Sequence, residues 1–318
     1  MGIMHFAGLG KSPGAVTAGL SYLQHEIGDS VEIGSIVDSV VIFTSPEIAT
    51  GNEPAYSEIT HNVYMQRAAR KTWTRGMRNS LDIVAEYLHC EIGNGPFYVC
   101  ELDVNDFSVC FEAVAKAMLK FHPPGAVGKH IWANITGGSN VLNAALMETA
   151  YISGFIPRLY YTFVANVKED GKYLQPFSRD ESQFDYREIY VLKTTFDDRY
   201  QSVLEEMEQI ETETPGRWIG SQELLSRLKG RAKPTFADLS LGAFRRDYLN
   251  TMPGIQRKGS RVEEQEDANR LSDEGHRILS LLRSPLFRAL ARQDGLAPDE
   301  IVTLTADLKI RKLERRTA

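Results

Sequence analysis

The chain has 318 residues, of which 42% are hydrophobic and 25% charged, and its formal net charge at pH 7 is −6. This length allows two domains of about 100 to 200 residues each, and the composition is typical of an ordinary globular protein. The apolar runs are far shorter than the roughly 20 residues that cross a bilayer, and the N-terminus has no signal-type segment. We therefore expect a cytoplasmic protein without a membrane partner.

Charge is distributed unevenly along the chain. Residues 1–212 contain 16 Lys and Arg against 27 Asp and Glu, whereas residues 213–318 contain 20 against 15. A basic C-terminal part suits contact with a phosphate backbone, although a solvated charged surface explains it nearly as well. An acidic stretch ends at Thr214-Pro215-Gly216, where we place the domain boundary.

The first 212 residues alternate between short apolar runs and segments of helical period, which predicts an α/β fold with a Rossmann-like, mainly parallel sheet. The first predicted strand, Ile3–Leu9, leads into a helix that starts at Ser12-Pro13, with Ser12 as its cap. A long loop is predicted over residues 45–60, and helices near residues 65–90, 107–121 and 139–154. The other predicted strands cover residues 39–44, 97–104, 130–136, 158–164 and 188–194.

Two glycine-bearing loops follow predicted strands. The first contains Gly8, Gly10, Lys11 and Ser12, and it precedes a helix. Glycines let a phosphate approach the backbone, while the lysine, the hydroxyl and the helix N-terminus favour an anion. The pattern matches neither a Walker motif nor GxGxxG, and a tight turn with a helix cap explains it equally well.

The second loop covers residues 134–140 and opens the predicted helix near residues 139–154. Its candidate ligand-binding residues are Thr136, Gly137, Gly138, Ser139 and Asn140. Its amides, hydroxyls and carboxamide suit a ribose, a phosphate or an adenine edge. A flexible turn with a helix cap is the structural alternative. Ligands of parallel sheets gather at the carboxyl ends of strands, where both loops are predicted to lie.

GLGKSPGAVTAGL and NITGGSN, in this order, resemble the two ligand loops of CARF domains, the sensor domains of CRISPR systems, over roughly residues 1–200. The resemblance implies a homodimer that binds cyclic oligoadenylate across its two-fold axis. It also implies that the loop residues named above, from Gly8 to Ser12 and from Thr136 to Asn140, line the ligand cleft. Many relatives have a basic residue where this chain has Asn140, and a carboxamide stabilises phosphate less than a cation does.

Residues 213–290 are predicted to form a winged helix-turn-helix, followed by a basic tail over residues 291–318. Helices are expected from Ser221, from Thr235 and over residues 241–252, then a basic strand from Ile255 and a closing helix from Ser272. Dimerisation or protein docking is the alternative to DNA binding, because winged helices also serve these roles. In addition, four acidic residues lie in the wing segment that would approach a phosphate backbone. If it binds double-stranded DNA, the expected contacts are Arg245, Arg246, Arg257, Lys258 and Arg261.

Two functions from different classes follow. The first is a regulator whose DNA binding by the winged helix responds to cyclic oligoadenylate. The alternative is a metal-independent ring nuclease that cleaves the same ligand, with Lys11 and Ser12 as catalytic residues. A dinucleotide-dependent enzyme is disfavoured because GxGxxG is missing. No metal or cofactor is expected, since the three cysteines have no zinc-ligand spacing and fit buried, reduced thiols.

Overall fold

The apolar runs of the first 194 residues form neighbouring strands of one sheet in the computed structural model. The structure describes residues 2–23, 37–51, 79–93, 95–122, 130–164, 184–191, 198–231, 236–250, 254–258, 268–292 and 296–314. Strands and helices are numbered along the chain in these ranges. The chain folds into two units, the first from residues 1–194 and 292–318 and the second from residues 195–291.

The first unit contains a seven-stranded sheet with the order β10-β3-β2-β1-β4-β5-β6. Strands β1 to β5 are parallel where they pair, whereas β6 and β10 add antiparallel edges. The α/β class and the Rossmann-like, mainly parallel sheet predicted from the sequence are therefore confirmed. The strands are β1 (Ile3–Leu9), β2 (Val37–Thr44), β3 (Phe97–Glu101), β4 (His130–Asn134), β5 (Arg158–Val164), β6 (Phe184–Tyr190) and β10 (Ile310–Lys312).

Helices connect these strands and bury their apolar faces. The carboxylate of Asp106 caps its helix by accepting a hydrogen bond from Val109 N at 3.1 Å, and Asn79 caps another through Leu81 N at 2.7 Å. All seven residues of β1 are buried, as expected for a central strand covered on both faces. The helices are α1 (Gly14–Tyr22), α2 (Pro46–Thr50), α3 (Ser80–Tyr87), α4 (Phe107–Phe121), α5 (Asn140–Ser153) and α11 (Pro298–Leu304).

Two predicted elements of the first unit differ clearly from the structure. Residues 46–50 of the predicted loop form α2, because Ser45 is extended before Pro46 and Gly51 ends the helix with φ of 85°. The last predicted strand, over residues 188–194, is displaced, since β6 covers Phe184–Tyr190 and pairs Arg158 with Tyr190. Most of the predicted helix at 65–90 lies outside the described residues, apart from α3 and the π-helical turn Leu88–Ile92 that follows it.

The C-terminal segment, predicted as a basic tail, returns to the first unit. β10 pairs with β3 and forms the edge of the sheet, and Leu313 is buried in the core with 6% exposure. The buried Lys116 ammonium on α4 donates to both carboxylate oxygens of Asp307 at 2.6 and 2.7 Å. On β10 itself Ile310 is half-buried, whereas Arg311 and Lys312 are exposed. Three residues of this kind are too few to reveal a strand in sequence.

The second unit combines helices with a small antiparallel sheet of order β7-β9-β8. It therefore begins before the predicted boundary at Thr214, because α6 (Asp198–Glu213) belongs to it. A helix was predicted from Thr235, but among the residues that it describes the structure shows only a short turn that begins at the buried Phe236. Residues 251–252 of the helix predicted over 241–252 lie outside the described residues.

The other elements of the second unit are β7 (Ile219–Gly220), α7 (Ser221–Gly230), α8 (Leu241–Phe244) with a π-helical turn over Arg245–Leu249, β8 (Ile255–Lys258), β9 (Ala268–Leu271), α9 (Asp273–Arg283) and α10 (Pro285–Arg292).

Cysteine environments differ along the first unit. Cys100 and Cys110 are buried free thiols, and burial raises their pKa values to about 12 and about 11, so both stay protonated near neutral pH. Cys90, which was expected to be buried, is exposed, because it lies in the π-helical turn at the end of α3. No helix in the described ranges is long and apolar enough to span a membrane.

His5 makes the stability of the first unit sensitive to acid. Its ring is fully buried on β1 beside the Tyr160 hydroxyl, and burial lowers its pKa from 6.5 to about 3. As the pH falls below 6.5, the unfolded chain binds a proton that the folded protein excludes, so stability is lost between pH 6.5 and about 3. We expect a loss from this group of up to about 1.4 kcal/mol per pH unit.

Urea unfolding at pH 7, 6 and 5 measures this loss. The variant His5→Gln retains a polar partner for Tyr160 but does not titrate, so the pH dependence of its free energy of unfolding should be flatter than that of the wild type. Parallel pH profiles for the two proteins would contradict the assignment.

Candidate ligand-binding site

The two glycine loops lie side by side at the carboxyl edge of the parallel sheet. The first loop, residues 8–13, begins at the last two residues of β1, and the second loop, residues 134–140, begins at the last residue of β4. Strand β1 pairs with β2 on one side and with β4 on the other. The chain order therefore reverses between β1 and β4, and such a switch point is where open α/β sheets form a ligand crevice.

Backbone contact joins the two loops directly. A Cβ added at Gly8 would lie 2.9 Å from the carbonyl oxygen of Gly137 and 3.1 Å from the Cα of Gly138. Gly138 has φ of 81°, a conformation that glycine adopts without strain. These glycines therefore serve the close approach of the two loops, in addition to any approach of a ligand.

Two predicted ligand-binding side chains hold the second loop in place. The Thr136 hydroxyl oxygen accepts from Thr162 N on β5 at 2.8 Å. The Ser139 hydroxyl donates to the carbonyl oxygen of Val104 and accepts from Leu142 N at 3.1 Å, which caps α5. Ser139 is thus the helix cap that the sequence analysis gave as the structural alternative. Only one lone pair of its hydroxyl oxygen remains for a ligand.

Asn140 occupies the first position of α5 and is exposed. The first amides of a helix have no acceptor within the helix, and their partial positive charge favours an anion. Because Ser139 already accepts from Leu142 N, the amides of Asn140 and Val141 are the ones that a ligand can use. The second loop therefore presents backbone donors and one carboxamide rather than a row of hydroxyls.

The first loop differs from its prediction at the helix start. Pro13 is the N-cap of α1, without a side-chain cap, so the predicted capping role of Ser12 is wrong. The Ser12 carbonyl accepts from Ala15 N at 3.2 Å, whereas its exposed hydroxyl has no hydrogen-bond partner among the residues described. Lys11 is half-buried, and Gly10 lies beside the second loop, since a Cβ added there would be 4.0 Å from Gly138 N.

Comparisons with known proteins give distant similarities. No family model matches the chain. A curated, uncharacterized protein of Archaeoglobus fulgidus is 23% identical over 195 residues, which cover 52% of this chain and 59% of that protein. Enterococcus italicus Csm6 bound to cyclic hexa-2'-fluoro-hexa-dAMP is similar with a TM-score of 0.36 and 15% identity, over 72% of this chain and 49% of that one. The chain therefore spans about three fifths and about half of the lengths of these two proteins.

Those predicted DNA-contacting residues of the second unit that the structure describes make different contacts. Adjacent residues of a strand point to opposite faces of the sheet. Accordingly Arg257 on β8 donates to the Asn250 side chain, whereas the Lys258 ammonium lies 5.2 Å from the centre of the Trp218 ring. Arg270, which the sequence did not single out, covers the same ring at 5.0 Å.

The remaining predicted contacts of this unit differ in accessibility. Arg246 is exposed, but its guanidinium donates to both carboxylate oxygens of Asp247 at 2.6 and 2.9 Å. This hydrogen bonding lowers the pKa of the Asp247 carboxyl and keeps the pair charged. Arg245 is half-buried, and Arg261 lies outside the described residues.

Asn134 begins the second glycine motif, but the sequence did not assign it a role in the site. It ends β4, it is fully buried, and its carboxamide contacts the second loop and the start of α1. An asparagine at a strand end was visible in the sequence, but the residue that it contacts on α1 lies 119 positions away. Only the β1–β4 pairing brings the two together.

Proposed function

We propose that the first unit binds cyclic oligoadenylate, as a homodimer, in the crevice formed by the two glycine loops. The observation that carries this proposal is the backbone contact of Gly8 with Gly137 and Gly138 at the switch point between β1 and β4. The sequence resemblance of both loops to CARF domains supplies the class of ligand.

The chemistry of the crevice suits a cyclic phosphodiester. Two helix N-termini, those of α1 and α5, open from loops that touch one another, so their partial positive charges act on the same region. Lys11 adds a full charge, and Ser12 and Asn140 add groups that hydrogen-bond a phosphate or an adenine edge. A homodimer doubles this set around a ring that itself has rotational symmetry.

The second unit is proposed to be a winged helix that binds double-stranded DNA in response to the ligand. Helices followed by the β8–β9 hairpin support this architecture, and exposed Arg257 and Lys258 support contact with phosphates. Ligand binding regulates DNA binding only if the ligand binds one arrangement of the dimer more tightly than the other.

A ring nuclease is the second candidate, because the exposed Ser12 hydroxyl has no partner in the described ranges. In that reaction a ribose 2'-oxygen attacks the adjacent phosphorus while the bond from phosphorus to the 5'-oxygen breaks. The products are a 2',3'-cyclic phosphate and a 5'-hydroxyl, which takes up the proton lost from the 2'-oxygen. Lys11 and Ser12 would stabilise the charge that develops on the phosphate oxygens.

Calorimetric titration with cyclic tri-, tetra- and hexa-adenylate tests the binding proposal. We expect one ring size to bind, and Lys11→Ala to weaken it by roughly tenfold or more because a charge-assisted contact is lost. The exposed Lys229 on α7 provides the matched control, since Lys229→Ala removes a charge far from both loops in sequence and within the other unit. Absence of binding by every ring would refute the proposal.

The same ligands separate the two functions. Duplex DNA binding is measured with and without the ring that binds, and labelled ring is incubated with excess protein in EDTA. Ligand-dependent DNA affinity without linear product supports the regulator. Linear product that disappears in Ser12→Ala supports the ring nuclease.

A further inference from the structure

We infer that Asn134 is a positioning residue that fixes the spacing between the two ligand loops. This inference rests on the proposed function. The Asn134 Nδ2 atom donates to the carbonyl oxygen of Ala15 at 2.9 Å, and its Oδ1 atom accepts from Thr136 N at 2.8 Å. Ala15 lies in the first turn of α1, directly after the first loop, and Thr136 lies in the second loop. One planar carboxamide thus joins the second loop to the start of α1, where the first loop ends.

The surroundings of Asn134 make this link rigid. The side chain is fully buried, so water does not replace either hydrogen bond, and losing one leaves a desolvated polar group. Helix α1 packs directly against it, because a Cβ added at Gly19 would lie 2.7 Å from Asn134 Nδ2 and 2.7 Å from Tyr160 Cε2. Asn134 therefore contacts no ligand itself but sets the position of groups that do.

The link needs a donor and an acceptor in one side chain of this size. Asn134→Asp preserves the shape and the acceptor for Thr136 N, but it places a carboxylate oxygen against the Ala15 carbonyl oxygen. Two acceptors repel each other, so the start of α1 should move away from the second loop. Protonation of the buried carboxyl restores one O–H donor, and burial itself raises the pKa of such a carboxyl. The defect should therefore be reversed by acid.

Cyclic oligoadenylate binding is measured from pH 8 to pH 5 for the wild type and for Asn134→Asp. We expect Asn134→Asp to bind roughly tenfold or more weakly than the wild type at pH 8 and to approach it near pH 5. Gln222→Glu is the control, because it also replaces an amide by a carboxylate but does so at an exposed position of the other unit. Circular dichroism at each pH establishes that all three proteins are folded.

Asn134→Asp binding that equals that of the wild type at pH 8, or that is weak at every pH, would overturn the inference. If the wild type binds none of the rings, the proposed function fails by itself. In that case, amide hydrogen exchange tests whether Asn134 still links the two loops. Lower protection of residues 14–17 in Asn134→Asp than in Gln222→Glu at pH 8 supports the link between the loops, and equal protection refutes it.

Discussion

Replacing Gly137 with alanine is expected to abolish ligand binding by the first unit. The added Cβ would lie closer than 3.0 Å to the backbone carbonyl oxygen of Gly8 and 3.1 Å from the Cβ of Ala15. Backbone atoms cannot rotate away as a flexible side chain can, so the two loops must separate. Separated loops no longer present their donors to one ligand together, and overpacking adds about 1–3 kcal/mol of destabilisation.

Gly242→Ala is the matched control for this prediction. It adds the same methyl group to α8 in the second unit, where no described atom outside its own helix lies within 4 Å of the added Cβ. We expect its melting temperature to stay close to that of the wild type, whereas that of Gly137→Ala falls. Calorimetric titration of both variants measures the affinities. A folded Gly137→Ala protein that binds as the wild type does would show that contact between the loops does not matter for the site.

Removing residues 296–318 is expected to destabilise the first unit by several kcal/mol. The deletion uncovers edge strand β3 and removes buried Leu313, whose loss alone corresponds to about 2–5 kcal/mol for a core leucine. It also removes Asp307 from the buried Lys116 ammonium, which then retains Glu112 at 2.5 Å. An uncovered, partly apolar edge strand further favours aggregation.

Urea unfolding followed by circular dichroism measures the effect of this deletion. A shorter deletion of residues 315–318 is the control, because it removes none of the contacts that the structure describes. The longer deletion should unfold at a clearly lower urea concentration than the shorter one. Equal midpoints would mean that the C-terminal strand contributes no stability to the sheet.

The sequence was sufficient for the features that depend on local pattern. Apolar runs of strand length predicted β1 and β5 within their observed bounds, and Ser272 predicted the start of α9, where its hydroxyl accepts from Gly275 N at 3.1 Å. Glycines between a strand and a helix indicated both loops. Each of these features is set by residues within a few positions of one another.

Features that depend on distant pairing were not predictable in this way. The Lys116–Asp307 pair joins residues 191 positions apart, and the pairing of β10 with β3 shows no pattern in three residues. Within the candidate site, the sequence named Thr136 and Ser139 as ligand contacts, whereas their hydroxyls bond to Thr162 and Val104. A hydroxyl can hydrogen-bond a ligand or another part of the protein equally well, and only the fold shows which partner is near.

Amide hydrogen exchange with and without cyclic oligoadenylate tests the central claim most directly, because it locates the ligand on the chain. We predict that the ring that binds in calorimetry slows exchange in both glycine loops together, over residues 10–15 and 137–142. Unchanged exchange in these two segments, or slower exchange confined to the second unit, would contradict a site between them.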